Sequence, residues 1–184
     1  MQFTVETIVP NEYSVVDEVV ANSYSKSDEN YDGDEVDMVH RIRQSSKYRD
    51  DFEVVAKDEN GQILGHALMI EVIVGSNAKP FKIASIIELS VRKDFRKQGI
   101  GQRILAELEV RARMANYPAV NAVDFSNFFI ENGYIFAEDF NLHATMAIKM
   151  KRNFIKLLQD GGLYNRGGKI YYPAEFYGVR KARV

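Results

Sequence analysis

Apolar and polar residues alternate from Gln2 to Ile8, as in a half-buried strand. The spacing then lengthens: Asn11 can cap a helix from Glu12 to about Tyr24, with Val15, Val16, Val19 and Val20 as its core stripe. The polar loop from Ser27 to Asp34 leads to a second short helix, about Glu35 to Ser45, which turns Val36, Val39 and Ile42 inward. From Phe52 the period falls to two. Phe52 to Lys57 and Ile63 to Val74 read as strands joined across Asn60-Gly61, a strong tight-turn dipeptide. Phe81 to Val91 reads as a further strand, with Phe81, Ile83, Ser85, Ile87, Leu89 and Val91 on one face. After Gly101 the helical period returns through Ile104, Leu105, Leu108, Ala112 and Ala115, and Asn116-Tyr117-Pro118 ends it. Ala119 to Phe125 reads as a buried strand, and Ser126 to Asn132 as a short helix closed by Gly133. Tyr134 to Asp139 and Leu142 to Met150 read as two more strands, and 151–184 as a weaker helix-plus-strand extension. The order β-α-α-β-β-β-α-β-α-β-β predicts an α/β fold with a mixed, largely antiparallel sheet flanked by helices. One domain over 1–184 is expected, with its core in 1–150.

Composition narrows the chemistry. Of the 184 residues 46% are hydrophobic, enough for a substantial core, and none is cysteine. That excludes a disulfide scaffold, thiolate metal sites and an acyl group parked on an enzyme cysteine. The net charge of −2 conceals an asymmetry: residues 1–91 carry 8 Lys/Arg against 17 Asp/Glu, and residues 149–184 carry 9 against 2. A pI near 6.0 gives little support to nucleic-acid binding. No apolar run approaches a membrane span, and Met1 to Glu6 lacks the basic and apolar regions of a secretory leader, so a cytoplasmic setting is expected. His40, His66 and His143 show no ligand spacing, and no metal site is expected. His66, alternating with apolar neighbours, reads as a packed or edge residue.

The chemistry-bearing stretch is Leu89 to Leu105, a strand end, a basic turn, two glycines and an amphipathic helix. A helix N-terminus leaves amides without partners and carries partial positive charge, so it can hold a phosphate. Gly99 and Gly101 remove side chains that would keep an anion from the backbone. No Gly-Lys-Ser/Thr follows, which excludes a Walker loop, and Ile104 stands where a dinucleotide fingerprint needs its third glycine. Arg96-Lys97-Gln98-Gly99-Ile100-Gly101 fits Arg/Gln-x-x-Gly-x-Gly/Ala. Between Arg92 and Arg103 five basic residues face one acid, in an otherwise acidic half.

With this loop following Leu89-Ser90-Val91, the chain resembles the GCN5-related N-acetyltransferase (GNAT) superfamily. A second match lies in Phe128-Phe129-Ile130-Glu131-Asn132-Gly133-Tyr134, similar to the family's Phe-Tyr-x-x-x-Gly-Phe. Tyr172-Pro173-Ala174-Glu175-Phe176 resembles the tail of a bacterial branch. The resemblance implies acetyl-CoA as cosubstrate, without a metal. It implies a diphosphate site at Arg96, Lys97, Gln98, Gly99, Ile100, Gly101 and Gln102. Backbone pairing of pantetheine is implied along Leu89, Ser90 and Val91, with Asn127 and Phe128 also against the cofactor. It implies acetyl transfer to a small-molecule or peptide amine by direct attack in a ternary complex, and pairing into homodimers is common among such proteins.

An alkyl amine with a pKa near ~10.4 must lose a proton before it attacks, a gap of about three units or roughly 4 kcal/mol at neutral pH. Glu88, just before the pantetheine strand, is the candidate base; an ion-paired strand glutamate is the alternative. Where the family has a tyrosine to protonate the departing thiolate, this chain has Phe129. Tyr134, Tyr117 and Tyr172 are candidate substitutes, and Phe128 and Phe129 read as apolar walls for the pantetheine arm. A non-catalytic acyl-CoA-binding or sensor module is the alternative function. Asp28, Glu29, Asp32, Asp34, Glu35 and Asp37 would suit a cationic acceptor, or simply form a solvated loop.

Overall fold

The changes of period along the chain reappear as element boundaries in the computed structural model, which describes residues 2–24, 33–75, 79–124, 126–145 and 152–178. In chain order the elements are β1 (Phe3–Thr7), α1 (Tyr13–Ser23), α2 (Glu35–Arg43), β2 (Glu53–Asp58), β3 (Ile63–Gly75), β4 (Phe81–Val91) and α3 (Ile100–Met114). They continue as β5 (Ala119–Val123), α4 (Phe128–Glu131), β6 (Ile135–Phe136), β7 (Leu142–Ala144), β8 (Asn153–Leu157), β9 (Gly168–Tyr171) and α5 (Ala174–Tyr177). The fold is a mixed α/β arrangement with a largely antiparallel sheet and flanking helices. Among the described residues no helix is long and apolar enough to cross a membrane.

Contacts divide the chain into two units, the first made of Met1–Leu68, Glu88–Leu105 and Pro173–Val184, the second of Met69–Ile87 and Ala106–Tyr172. In the first, β1 pairs antiparallel with β2 from Phe3↔Asp58 to Thr7↔Val54. β2 pairs antiparallel with β3 from Glu53↔Leu68 to Lys57↔Ile63, with a bulge between Ala56 and Lys57. The β2–β3 turn forms as expected, with Gly61 at φ +78° and Asp58 Oδ1 accepting from the amides of Asn60 and Gln62. Val16, Val19 and Val20 of α1 pack with Ile8, Val55 and Ile63, while Val15, expected in that stripe, is exposed because it falls outside the contact arc. Asn11 is not the helix cap. Pro10 starts a single 3-10 turn over Pro10–Glu12, and the Glu12 carboxylate accepts the Val9 amide at 3.0 Å. The short α5 docks on α2, where Arg41 Nε donates to the Glu175 carbonyl at 2.9 Å.

In the second unit β4 and β5 run parallel, and their register covers only Ala84↔Val120, Ser85↔Asn121 and Ile86↔Ala122. β5 pairs antiparallel with β8, β8 with β6, and β9 with β3, whereas β7 and β9 are parallel. Asn121, fully buried, ties these strands together. Its Oδ1 accepts from Ser85 at 3.1 Å and Tyr172 at 2.6 Å, and its Nδ2 donates to Asn153 at 2.7 Å and the Phe154 carbonyl at 2.8 Å. The strand expected over Tyr134 to Asp139 shrinks to β6, because Ala137–Phe140 coils into a 3-10 turn that ends on left-handed Asn141. Of the strand expected over Leu142 to Met150, β7 covers three residues, and Met146 to Met150 lie outside the described residues. The extension supplies β8 and β9.

Candidate functional site

The glycine motif lies where β4 hands over to α3. A one-turn 3-10 helix, Lys93–Phe95, follows the strand, and then Lys97 and Gly99 take left-handed φ values of 60° and 83°. A Cβ on Gly99 would meet nothing within 4 Å, so glycine is favoured there by the backbone angle rather than by crowding. The Gly99 carbonyl accepts the Arg103 amide at 3.0 Å, which makes it the first acceptor of α3. By helix geometry the amides of Ile100, Gly101 and Gln102 precede any intrahelical acceptor and carry the positive end of the helix dipole. Lys93, Lys97, Gln98 and Arg103 are exposed around them. Arg96 is exposed as well but engaged: its guanidinium donates to the Val91 carbonyl at 3.1 Å and the Ser23 carbonyl at 2.7 Å, stapling the turn to the end of α1.

The start of α3 sits close on β3 because residue 65 is glycine. A Cβ there would stand 2.9 Å from the Ser90 carbonyl oxygen, 3.0 Å from Ile104 Cδ1 and 3.2 Å from Ile100 Cγ2. On β4 itself, the Arg92 amide bonds the Leu64 carbonyl at 2.9 Å. Alternation along a ladder then turns the backbone of Ser90 toward β3 and that of Leu89 and Val91 toward the opposite edge. This is the edge that β5 pairs only as far as Ile86. Ser90, expected to offer its backbone beside Val91, therefore points that backbone the other way.

Glu88 is 2% exposed, and both its oxygens are engaged: Oε2 by His66 Nδ1 and Oε1 by the Ser90 hydroxyl, both in very close contact. His66, fully buried, reaches Glu53 Oε1 through Nε2 at 2.8 Å. Glu53 in turn receives Arg43 Nη2 at 2.6 Å and Nε at 3.0 and 3.2 Å. Arg43 Nη1 reaches Asp17 at 3.4 Å, and Asp17 pairs with His40 at 2.8 Å. Burial alone would push the His66 imidazole down, but the Glu88 charge and the hydrogen bonds to both carboxylates outweigh it and lift the pKa to about 9. Burial pushes Glu53 up, and the hydrogen bonds from His66 and Arg43 outweigh that and bring it down to about 2. His66 is packed, as expected, and with a carboxylate against each ring nitrogen it is held as an imidazolium that donates from both.

Asn127 and Phe128 belong to the second unit. Asn127 is exposed, and its carbonyl accepts the Glu131 amide at 3.0 Å at the start of α4. Phe128 is half-buried and meets Phe129 edge to face at 5.4 Å. Phe129 is core, not a wall for a ligand: it packs on Tyr134 at 5.0 Å and Phe154 at 6.2 Å. The three substitute tyrosines are buried too. Tyr117 donates to Glu71 at 2.8 Å and Tyr172 to Asn121. The Tyr134 hydroxyl has no hydrogen-bond partner among the described residues, and burial together with the Glu109 charge pushes its pKa up, so it holds its proton more tightly.

Asp28, Glu29 and Asp32 lie outside the described residues, and Asp34 is held by Arg41 at 2.5 and 2.8 Å. Among the described residues no group of His, Asp and Glu could hold a metal ion. Sequence reasoning missed the partners of Glu88. The available signals were a glutamate opening the otherwise apolar Glu53-Val54-Val55-Ala56 and a histidine set between Gly65 and Ala67.

Comparison with known proteins adds the following. The acetyltransferase (GNAT) family profile matches residues 18–129, more than half the chain. No curated protein matches it in sequence. Among solved structures, the GNAT family N-acetyltransferase YhbS of Escherichia coli in complex with CoA superposes with a TM-score of 0.83 at 20% identity, over 95% of this chain and 91% of that one. A GNAT family acetyltransferase of Brucella melitensis in complex with acetyl-CoA gives 0.73 at 15% identity, over 95% and 98%. Naa20 of Chaetomium thermophilum in complex with a bisubstrate analogue gives 0.56 at 18%, over 84% and 86%. At these identities the likeness is one of fold, and the profile match carries the assignment: the chain belongs to the GNAT acetyltransferase family.

Proposed function

We propose that the chain is an acyl-CoA-dependent N-acyltransferase that moves acetyl from acetyl-CoA to a small-molecule or peptide amine bound in the same complex. The observation that carries this reading is the start of α3, where amides without intrahelical acceptors follow two left-handed residues amid exposed cations. That donor set fits a diphosphate. The amides from Lys97 to Gln102 would hold it, with the Lys97 ammonium adding charge and Arg96 fixing the turn. The outer edge of β4 at Leu89 and Val91 would pair the pantetheine arm as an added strand. Acetyl-CoA supplies an acyl group already activated as a thioester. Glu88 is the proposed base, taking the proton that an ammonium must lose before its nitrogen can attack.

Calorimetry with acetyl-CoA and free CoA tests the cradle, with Gly101→Glu as control. Micromolar binding that the variant loses is expected, and no binding to the parent protein overturns the reading. Thiol release from acetyl-CoA with spermidine, a lysine peptide or kanamycin then tests transfer, without background from protein thiols.

One set of observations favours a second reading, a non-catalytic acyl-CoA-binding module: Glu88 is buried with both oxygens engaged, and Phe129 lies in the core. Tight binding of both nucleotides with no turnover on any of the three amines supports it.

A further inference from the structure

The string of groups that begins at Glu88 draws on five elements and alternates in sign: Glu88 of β4, His66 of β3, Glu53 of β2, Arg43 of α2, and Asp17 of α1. The Tyr13 ring lies 3.9 Å beneath the Arg43 guanidinium. Tyr48 feels the Glu53 charge, which adds to burial and to its bond with Tyr13 in raising its pKa. The string ends at His40, whose side chain is 46% exposed. Such a string can either conduct protons to solvent or hold charges in place. Arg43 decides between them, because a guanidinium does not give up its proton. A proton arriving at Glu88 cannot pass beyond Glu53, so the string is a frame and not a wire.

We propose that His66 is a positioning residue for Glu88: its Nδ1–H fixes one carboxylate oxygen while the Ser90 hydroxyl fixes the other, and Glu53 with Arg43 fixes the ring. This rests on the reading of Glu88 as the base. In the step it serves, an N–H bond of the ammonium breaks, an O–H bond forms on Glu88, and the electron pair stays on nitrogen. His66 keeps both its protons throughout. The Ser90 hydroxyl can rotate to accept from the protonated carboxyl, so Oε1 is the oxygen free to change state while Oε2 stays anchored. An unanchored carboxylate would rotate and lose the alignment that proton transfer needs.

Two isosteric variants separate this role from bulk packing. The Nδ2 of asparagine, attached at Cγ, occupies the place of the histidine Nδ1, whereas the Nε2 of glutamine reaches toward the place of the histidine Nε2. His66→Asn therefore keeps a donor to Glu88 and drops the link to Glu53; His66→Gln does the reverse. Using acetyl-CoA and whichever of spermidine, the lysine peptide or kanamycin turns over, His66→Gln should lower kcat by ~10- to 100-fold with the calorimetric Kd for CoA unchanged. His66→Asn should stay within about threefold of the parent. Equal rates in the two variants, high or low, overturn the positioning role. Nitrogen NMR of 15N-histidine-labelled protein gives a readout independent of turnover. Both ring nitrogens of His66 should carry protons at about pH 7.5, and the Nδ1 signal alone should move in Glu88→Gln. A neutral single tautomer overturns the proposal. Loss of rate in Glu88→Gln beside normal rate in His66→Gln removes the positioning role and leaves the base standing. Normal rate in Glu88→Gln, or no turnover with any of the three amines, removes the base and the positioning role with it.

Discussion

The Ser90 carbonyl oxygen stands 2.9 Å from the point where a β-carbon on residue 65 would lie, so Gly65 and Ser90 set how closely β3, β4 and the start of α3 approach. A methyl group there has no flexible neighbour to displace on the Ser90 side, only backbone. Gly65→Ala should therefore push the first turn of α3 outward and cost about 1–3 kcal/mol. Thermal melting should record the loss, and calorimetry should show weaker CoA binding. A destabilised variant with parental CoA affinity would place the nucleotide elsewhere.

Lys97 offers a way to separate fold from binding. Its left-handed φ of 60° is strained for a long side chain, and asparagine tolerates that region better. Lys97→Asn should melt at the parent temperature or slightly above it, yet bind CoA ~3- to 10-fold more weakly through loss of a phosphate cation. The residual binding should also depend less on salt. Unchanged affinity would show that the Lys97 amide, not its charge, is what the ligand uses.

Stability should follow pH in a defined window. His66, raised from 6.5 to about 9, contributes fully below pH 6.5 and loses its contribution as pH rises through 9. Glu53, lowered from 4.5 to about 2, contributes fully above pH 4.5 and loses its contribution as pH falls through 2. Melting temperature should be highest between these inner limits and decline on both sides. In His66→Asn the alkaline decline should flatten. A parental alkaline slope in that variant would assign the decline to other groups.

The Arg43–Glu53 pair is buried, with side-chain exposures of 6% and 0%. Arg43→Met leaves the Glu53 charge in the interior with His66 as its remaining cationic partner, and should cost about 3–5 kcal/mol. Adding Glu53→Leu to Arg43→Met removes the stranded charge and should recover part of that loss. Denaturant melts of the single and double variants measure the coupling, and additive losses would mean that the two side chains do not stabilise each other.

Much of the fold was legible because its signals are local. The turn at Asn60-Gly61, the span of β4 and the stop at Pro118 each depend on residues adjacent in the chain. The backbone of the proposed diphosphate site was legible for the same reason, since a strand end, a turn and a helix start are consecutive. β8 was harder to read: its apolar Phe154-Ile155 pair is flanked by Lys151, Arg152 and Lys156, and what makes it a strand is pairing with β5, more than thirty residues earlier. The surroundings of Glu88 could be read only in part: alternation along β4 puts Ser90 on its face and an ion-paired glutamate was one of the two readings, but the partners across the sheet had no local signal. His66 and Glu53 lie 22 and 35 positions upstream of it, and each alone looks like an ordinary strand residue. Only pairing of β2 with β3 sets Glu53 near His66, and only α2 supplies the cation that lets a carboxylate sit there.

Asn121 has a consequence for how the second unit reaches its final form. A one-residue slip of β5 would turn this amide to the opposite face of its strand. Ser85, Asn153 and Tyr172 would then keep their polar groups in an apolar interior without the amide that now answers all three. Each lost bond to a buried group costs about 1–3 kcal/mol where nothing replaces it, so a mispaired intermediate is penalised at more than one place by one misplaced side chain. Asn121 thus acts as a proofreader of assembly, making near-miss pairings too unfavourable to persist.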